Sequence, residues 1–322
     1  MRLDFLQVLL AACLCWAPLA FAQEVFPSKT VHIVVPVQGG TMDLLARLVA
    51  PPLSAALGQP VIVETKAGAG GNIGTDYVAK AAPDGYTLLV GFNGPLAVNV
   101  TLFDKLPFDP VRDLAPITLA VSVSQFLTVH PSVPATTVAE FVAYAKSRPQ
   151  PLNYGSIGVG SMHHLGMELL SIRTGISMVH VPYKGSAQLM PDILSGQIQL
   201  TFQGPTSSIP PAQSGKLRAL AITGPERARA MPQLPTMAEA GVPEFNIDAW
   251  FGLSGPANLP RPIVERLNRE TVSFLRNKET IEKFATDNID LLPGAPDQLV
   301  ARVRSEIPLW TKVMRAAGVH PE

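Results

Sequence analysis

Three glycine-bearing segments hold the residues best suited to chemistry: Val37-Gln38-Gly39-Gly40-Thr41, Gly155-Ser156-Ile157-Gly158-Val159-Gly160-Ser161 and Tyr183-Lys184-Gly185-Ser186. Each stands between a strand pattern and a helix pattern. Such a loop exposes N–H groups that the first helical turn cannot use internally, and the helix dipole adds partial positive charge there. An anion is held this way without an arginine. With ~1.5–3 kcal/mol from each hydrogen bond to a charged group, roughly four to six bonds support a micromolar affinity, about −8 kcal/mol, after association entropy is subtracted. Taken singly, each loop reads equally well as a tight βα turn; their joint occurrence points to a ligand. The spacings Gly155-x-x-Gly158 and Gly158-x-Gly160 do not fit the dinucleotide fingerprint, so no nucleotide is expected.

The other chemically capable residues read mainly as structural. Asp43 falls in a first helical turn, where a carboxylate stabilises the N-terminus. His163 and His164 are adjacent, so they project to different helix faces and share no metal; helix packing is the expected role. Lys184 reads as either a partner for a carboxylate or a solvated loop lysine. Trp250 and Phe251 are expected in the core, with a cleft wall as the alternative. No Gly-x-Ser-x-Gly elbow and no pair of carboxylates along one element occurs, so no catalytic residue, metal ligand or cofactor is assigned. Triads assemble across a fold, and a periplasmic hydrolase therefore stays as a remote alternative.

The elements that would position these loops alternate. Val31–Val35 is a β-branched run, and Gly39-Gly40 opens a helix with Leu45, Leu48, Val49 and Leu53 on one face. Pro51-Pro52 is expected to kink or split it. Val61–Val63 and Thr87–Val90 read as strands, with a glycine loop and short helix between them at Gly68–Gly74. A second set begins after Ile117–Leu119. Thr137 and Glu140 form a capping box before a helix with Val138, Phe141, Val142 and Ala145. Strands follow at Leu152–Tyr154, Ser177–Val181, Ile198–Phe202 and Leu217–Ile222, and a helix with Met162, Leu165, Leu169 and Ile172 on one face. The end is helical over Pro262–Arg276, Lys278–Thr286 and Pro296–Ala317. Alternating βα units favour parallel sheets, with ligands beyond the strand C-termini.

Composition bounds the function. The 322 residues are 47% hydrophobic and 16% charged, enough for one large core or two medium ones. Lys plus Arg and Asp plus Glu are 25 each, which argues against nucleic acid as a partner. Arg2, the apolar run Phe5–Leu19 and the small-x-small triplet Ala20-Phe21-Ala22 read as a cleavable secretory leader over residues 1–22. The run is shorter than the roughly 20 residues a spanning helix needs. Leu10-Ala11-Ala12-Cys13 also resembles a lipobox, but the residues after Cys13 stay hydrophobic; lipidation is the lesser alternative. Cys13 and Cys15 are the only cysteines, so the mature chain has neither thiol nor disulfide.

A specific resemblance follows from longer motifs. Val34-Val35-Pro36-x-x-Gly39-Gly40-x-x-Asp43-x-x-Ala46-Arg47, Gly58-Gln59-Pro60-Val61, Gly68-Ala69-Gly70-Gly71-Asn72-Ile73-Gly74, Ala82-Pro83-Asp84-Gly85-Tyr86, His180-Val181-Pro182-Tyr183-Lys184-Gly185 and Trp250-Phe251-Gly252-Leu253 stand in one order. They resemble the tripartite tricarboxylate transporter receptor family, also called Bug receptors. The resemblance implies an α/β protein of two Rossmann-like lobes with a ligand cleft between them, a type II-like periplasmic binding protein fold. Residues 23–122 and 248–322 would form lobe 1 and residues 123–247 lobe 2. It implies a periplasmic, monomeric receptor for a di-, tri- or aromatic carboxylate that serves membrane transporter subunits. A receptor feeding a membrane sensor kinase is the alternative. By residue it points to Gln38, Gly39, Gly40 and Thr41; Phe92, Asn93 and Gly94; Ser156, Gly158, Val159, Gly160 and Ser161; and Lys184, Gly185 and Ser186. Gln203, with Phe92, is a further candidate for side-chain selectivity. Val37-Gln38 and Thr41-Met42 depart from the family pattern inside the loop assigned to the carboxylate, so a differing ligand is expected.

Overall fold

The structure is a computed structural model that describes residues 26–316 and 318, except 244, 246, 287 and 288. The expected leader, with the lipobox, lies outside the described residues. Two sheets organise the chain. The first contains β1 (Val31–Val35), β2 (Val61–Thr65), β3 (Thr87–Phe92), β4 (Leu114–Ser124), β10 (Asp248–Pro256) and β11 (Asp290–Leu291), in the order β11-β4-β10-β3-β1-β2. The second contains β5 (Phe126–Val129), β6 (Leu152–Ser156), β7 (Met178–Pro182), β8 (Leu200–Gln203) and β9 (Arg218–Ile222), in the order β7-β6-β8-β5-β9.

Both sheets are mixed rather than parallel. β1 pairs in parallel with β2 and β3, and β6 with β7 and β8. β10 runs antiparallel to both β3 and β4, and β5 antiparallel to both β8 and β9. Topology explains the departure from the parallel expectation. β4 leaves the first lobe and β10 returns to it, so two strands side by side in one sheet run in opposite directions, without the helical crossover that a parallel pair needs. β5, only four residues long and fully buried, has no alternating pattern to reveal it in the sequence.

The helices around the first sheet begin with α1 (Gly40–Leu57), and a 3-10 turn at Ala69–Gly71 leads into α2 (Asn72–Ala79). α1 buries Leu45, Val49 and Leu53 against the sheet and ends at Gly58, whose left-handed backbone lets its N–H reach the Ser54 carbonyl. The helix is not split at Pro51 and Pro52. The carbonyls of Arg47 and Leu48, deprived of their donors, lie on the exposed and half-buried side, where water can serve them. A π turn at Gly94–Val98 and α3 (Asn99–Leu102) follow β3.

In the second lobe come α4 (Val138–Ser147), α5 (Met162–Thr174), α6 (Ser186–Ser195) and α7 (Pro205–Gln213). The Thr137 hydroxyl accepts from the Glu140 N–H, while the Glu140 carboxylate takes the N–H and hydroxyl of Thr136, a capping box displaced by one residue. On α5 the buried set is Met162 to Met167 with Leu170, and Ile172 is exposed, so the apolar face differs from the expected one. α7 was hidden by Pro205, Pro210 and Pro211. The chain ends with α8 (Arg261–Leu275), α9 (Lys278–Thr286) and α10 (Pro296–Ala316). α10 lies on β4, and its Trp310 and Met314 join the core of the second lobe together with Ala97, Val98 and Leu102.

Candidate functional site

Between the lobes lies a cavity of about 540 Å3. The first lobe contributes Val37, Gly39 to Met42, Phe92, Asn93 and Val123, with Ala249 and Phe251 from the returning strand. The second contributes Gln125, Ile157, Ser161 to His163, Ser186, Gln203, Gly204 and Ser207. Among the described residues, no Lys, Arg, Asp or Glu lines the cavity.

Four helices meet there by their N-terminal ends. α1 brings Gly39 to Met42, α5 brings its cap Ser161 with Met162 and His163, α6 brings Ser186, and α7 brings Gly204 and Ser207. The ends face one another across the cleft: a Cβ built at Gly40 would stand 3.5 Å from the Ser186 hydroxyl, and the Thr41 and Thr206 hydroxyl oxygens are 3.4 Å apart. First-turn N–H groups have no partner inside their helix, and each end carries about half a positive charge. Like partial charges thus converge from both lobes; Asp43, in the first turn of α1, is paired with Arg47 and is not part of the lining.

Several polar groups in this lining lack protein partners. Asn93 Oδ1, Gln125 Oε1, Gln203 Nε2 and His163 Nδ1 are buried and receive or make no hydrogen bond among the described residues. His163 is neutral at ordinary pH, since burial pushes its imidazole down to about 4. Ser186 can donate to Gln203 Oε1 at 3.2 Å, which ties the α6 end to β8.

The sequence-derived candidates separate into two groups. Gly39, Gly40, Thr41, Phe92, Asn93, Ser161, Ser186 and Gln203 line the cavity; Gln38, Gly94, Ser156, Gly158, Val159, Gly160, Lys184 and Gly185 do not. Lys184 and Gln38 are exposed. Ser156 turns inward to His180 Nε2, 2.6 Å away. Gly94 and Gly71 make room for the Phe92 ring, which a Cβ at either would strike at 2.5 and 2.8 Å. Gly158 to Gly160 and Gly185 form the seam between the lobes. Cβ atoms built at Gly160 and Gly185 would meet Asn99 Oδ1 at 2.7 Å and the Gln38 carbonyl at 2.5 Å.

Of the residues read as structural, His164 accepts the Gly160 N–H at 3.1 Å and stacks on His180, with ring centroids 4.1 Å apart. Asp43 pairs with Arg47 at 2.9 Å on the side of α1. His163, expected to pack, lines the cavity instead, and of the aromatic pair Phe251 lines it while Trp250 is fully buried. Gln125, Val123, Met162, Gly204, Ser207 and Ala249 were not foreseen. They are apolar or small residues of core-like pattern, or, for Gln125, a polar residue at a chain crossing that no local motif marks.

Comparison with known proteins follows from this geometry. Residues 45–319 match the model of the tripartite tricarboxylate transporter family receptor. The chain is 36% identical over 297 residues to protein BugT of Bordetella pertussis, covering 92% of this chain and 91% of that one. It superposes on R. palustris Rpa4515 with adipate at a TM-score of 0.89, with 37% identity, covering 92% of this chain and all of that one. MatC from Rhodopseudomonas palustris with bound malate gives a TM-score of 0.84 and 33% identity, covering 89% and 99%.

Proposed function

Because the chain belongs to the tripartite tricarboxylate transporter receptor family, we propose that it is an extracytoplasmic receptor that captures a small carboxylate between its lobes and delivers it to membrane transporter subunits. The observation that carries this reading is the meeting of four helix N-terminal ends, from both lobes, in a cavity without a basic side chain. Such ends repel one another until an anion stands between them, so a carboxylate both binds and holds the lobes together. Gly39, Gly40 and Thr41 hold it from the first lobe, and Ser161 and Ser186 from the second. The adipate and malate of the two structural relatives are carboxylates of suitable size. The leader pattern of residues 1–22 supports export to the periplasm as a soluble receptor.

The chain is expected to act by binding and release. Its polar lining is amide, hydroxyl and neutral imidazole, all able to hydrogen-bond a ligand. Thermal melts against a panel of mono-, di- and aromatic carboxylates test the assignment. A ligand at a hundred times its Kd adds about 2.7 kcal/mol to the native state. At least one member should therefore raise the Tm by several degrees, whereas indifference across the whole panel would remove the carboxylate from the account.

A further inference from the structure

The hinge-side wall of the cavity comes from Phe92 and Asn93 at the end of β3 and from the segments that join the lobes: Val123 near the end of β4, Gln125 in the crossing, and Ala249 and Phe251 in β10. Two side-chain amides in this wall have fixed orientations. Asn93 Nδ2 donates to the Asp248 carbonyl at 3.2 Å, and Gln125 Nε2 to the Val123 carbonyl at 2.9 Å. A backbone carbonyl only accepts, so the nitrogen of each amide must face it and the oxygen must face away. Those oxygens, Asn93 Oδ1 and Gln125 Oε1, are buried and take no hydrogen bond from any described protein group. The residues are 0% and 2% exposed. Buried acceptors with no donor are rare in folded proteins and mark a place where another group completes the bond. Gln203 Nε2 also lacks a partner, but the Ser186 hydroxyl beside it donates or accepts, so it fixes no polarity.

Resting on the carboxylate reading above, we propose that the ligand is a monocarboxylate with an apolar body and a neutral hydrogen-bond donor, a hydroxyl or an amide N–H, and that Asn93 and Gln125 select it over a dicarboxylate. The helix ends hold the carboxylate. Phe92, Val123, Ala249 and Phe251 cover the body, and the two fixed oxygens take the donor. A second ionised carboxylate placed there would bring acceptor against acceptor on an apolar wall, with no Lys or Arg to compensate it. Both residues are specificity-determining, and neither needs to touch the carboxylate.

Calorimetric titration with two matched series tests this: hexanoate, 6-hydroxyhexanoate, 6-amino-6-oxohexanoate and adipate; and benzoate, 3-hydroxybenzoate, 3-carbamoylbenzoate and isophthalate. A hydroxyl or carboxamide member is expected to bind at least about ten-fold tighter than the unsubstituted acid and the dicarboxylate of its series, the worth of one good buried hydrogen bond. Gln125→Met should reduce that ratio to about two-fold, and Asn93→Leu is the second variant. A dicarboxylate that ties or wins in both series overturns the proposal, as does a ratio that survives both substitutions. If the variants do not fold, the ratio in the unsubstituted chain decides. Carboxylate binding without any preference for the donor defeats this inference alone; no binding in either series defeats it together with the carboxylate reading.

Discussion

At the scale of single residues, the seam between the lobes is the most sensitive feature. Gly185 has φ of 166°, extended backbone that any residue adopts, so alanine there strains nothing locally. Its Cβ would nevertheless sit 2.5 Å from the Gln38 carbonyl on the opposite lobe. Gly185→Ala should therefore hold the cleft ajar, weakening carboxylate affinity about ten-fold or more by calorimetry while the Tm without ligand moves little; unchanged affinity would show that closure does not require this contact. Gly40 is a poorer probe, because its φ of 74° would strain a bulkier residue as well as crowd the site. The buried histidines set the response to acid. Burial lowers His163 and His180 to about 4 and, with repulsion from His180 added, His164 to about 3. An unfolded histidine titrates near 6.5, so below that pH the unfolded chain binds more protons than the native one. The stability these groups contribute is complete above about pH 6.5 and is lost as pH falls towards their folded values. Melts at pH 7, 5.5 and 4 should show a progressively lower Tm, with a smaller fall in His163→Gln; a flat profile would mean the imidazoles are already charged in the fold. The sequence marked Gly39, Gly40, Ser161 and Ser186, which line the cavity, together with Gly94, Ser156, Gly158, Gly160 and Gly185, which do not. It could not mark Gln125 or His163, whose roles depend on what the other lobe brings opposite them.

At the scale of elements, helix starts were legible and strand directions were not. Thr137 caps its helix by accepting an N–H three residues on, as its spacing to Glu140 indicates, and Ser161 caps α5 in the same way without such a signal. α10, expected as a helix, buries Leu299, Val303, Trp310 and Met314. Alternation of strand and helix says nothing, however, about which strand returns from the other lobe, and the antiparallel placement of β10 and β5 follows from that path alone. Prolines misled in both directions, since α1 continues through Pro51-Pro52 and α7 contains a similar pair. Each proline in a helix interior is about 3 kcal/mol less favourable than alanine, partly offset by a stiffer unfolded chain. Pro51→Ala, on an exposed position, should thus raise the Tm by a few degrees without altering ligand affinity, as differential scanning calorimetry would report. A lower Tm would mean that the native helix departs from regular geometry there and needs the proline ring.

At the scale of the whole molecule, two lobes are joined by more than a hinge. The chain crosses at Gln125 and returns at Asp248, and the crossing is braced where Arg302 of α10 pairs with Asp248 and with Glu306. Trp310 and Met314 add a shared core. In this arrangement the α1 end faces the ends of α6 and α7 across the cavity. The central claim is that backbone groups at converging helix ends, not a basic side chain, hold the carboxylate. A crystal structure of the complex with whichever carboxylate raises the Tm most tests it directly. The carboxylate oxygens are expected within hydrogen-bonding distance of the Gly40 or Thr41 N–H, with no Lys or Arg nitrogen in contact. A ligand seated outside this cavity, or a carboxylate neutralised by a basic side chain such as Lys184, would contradict it.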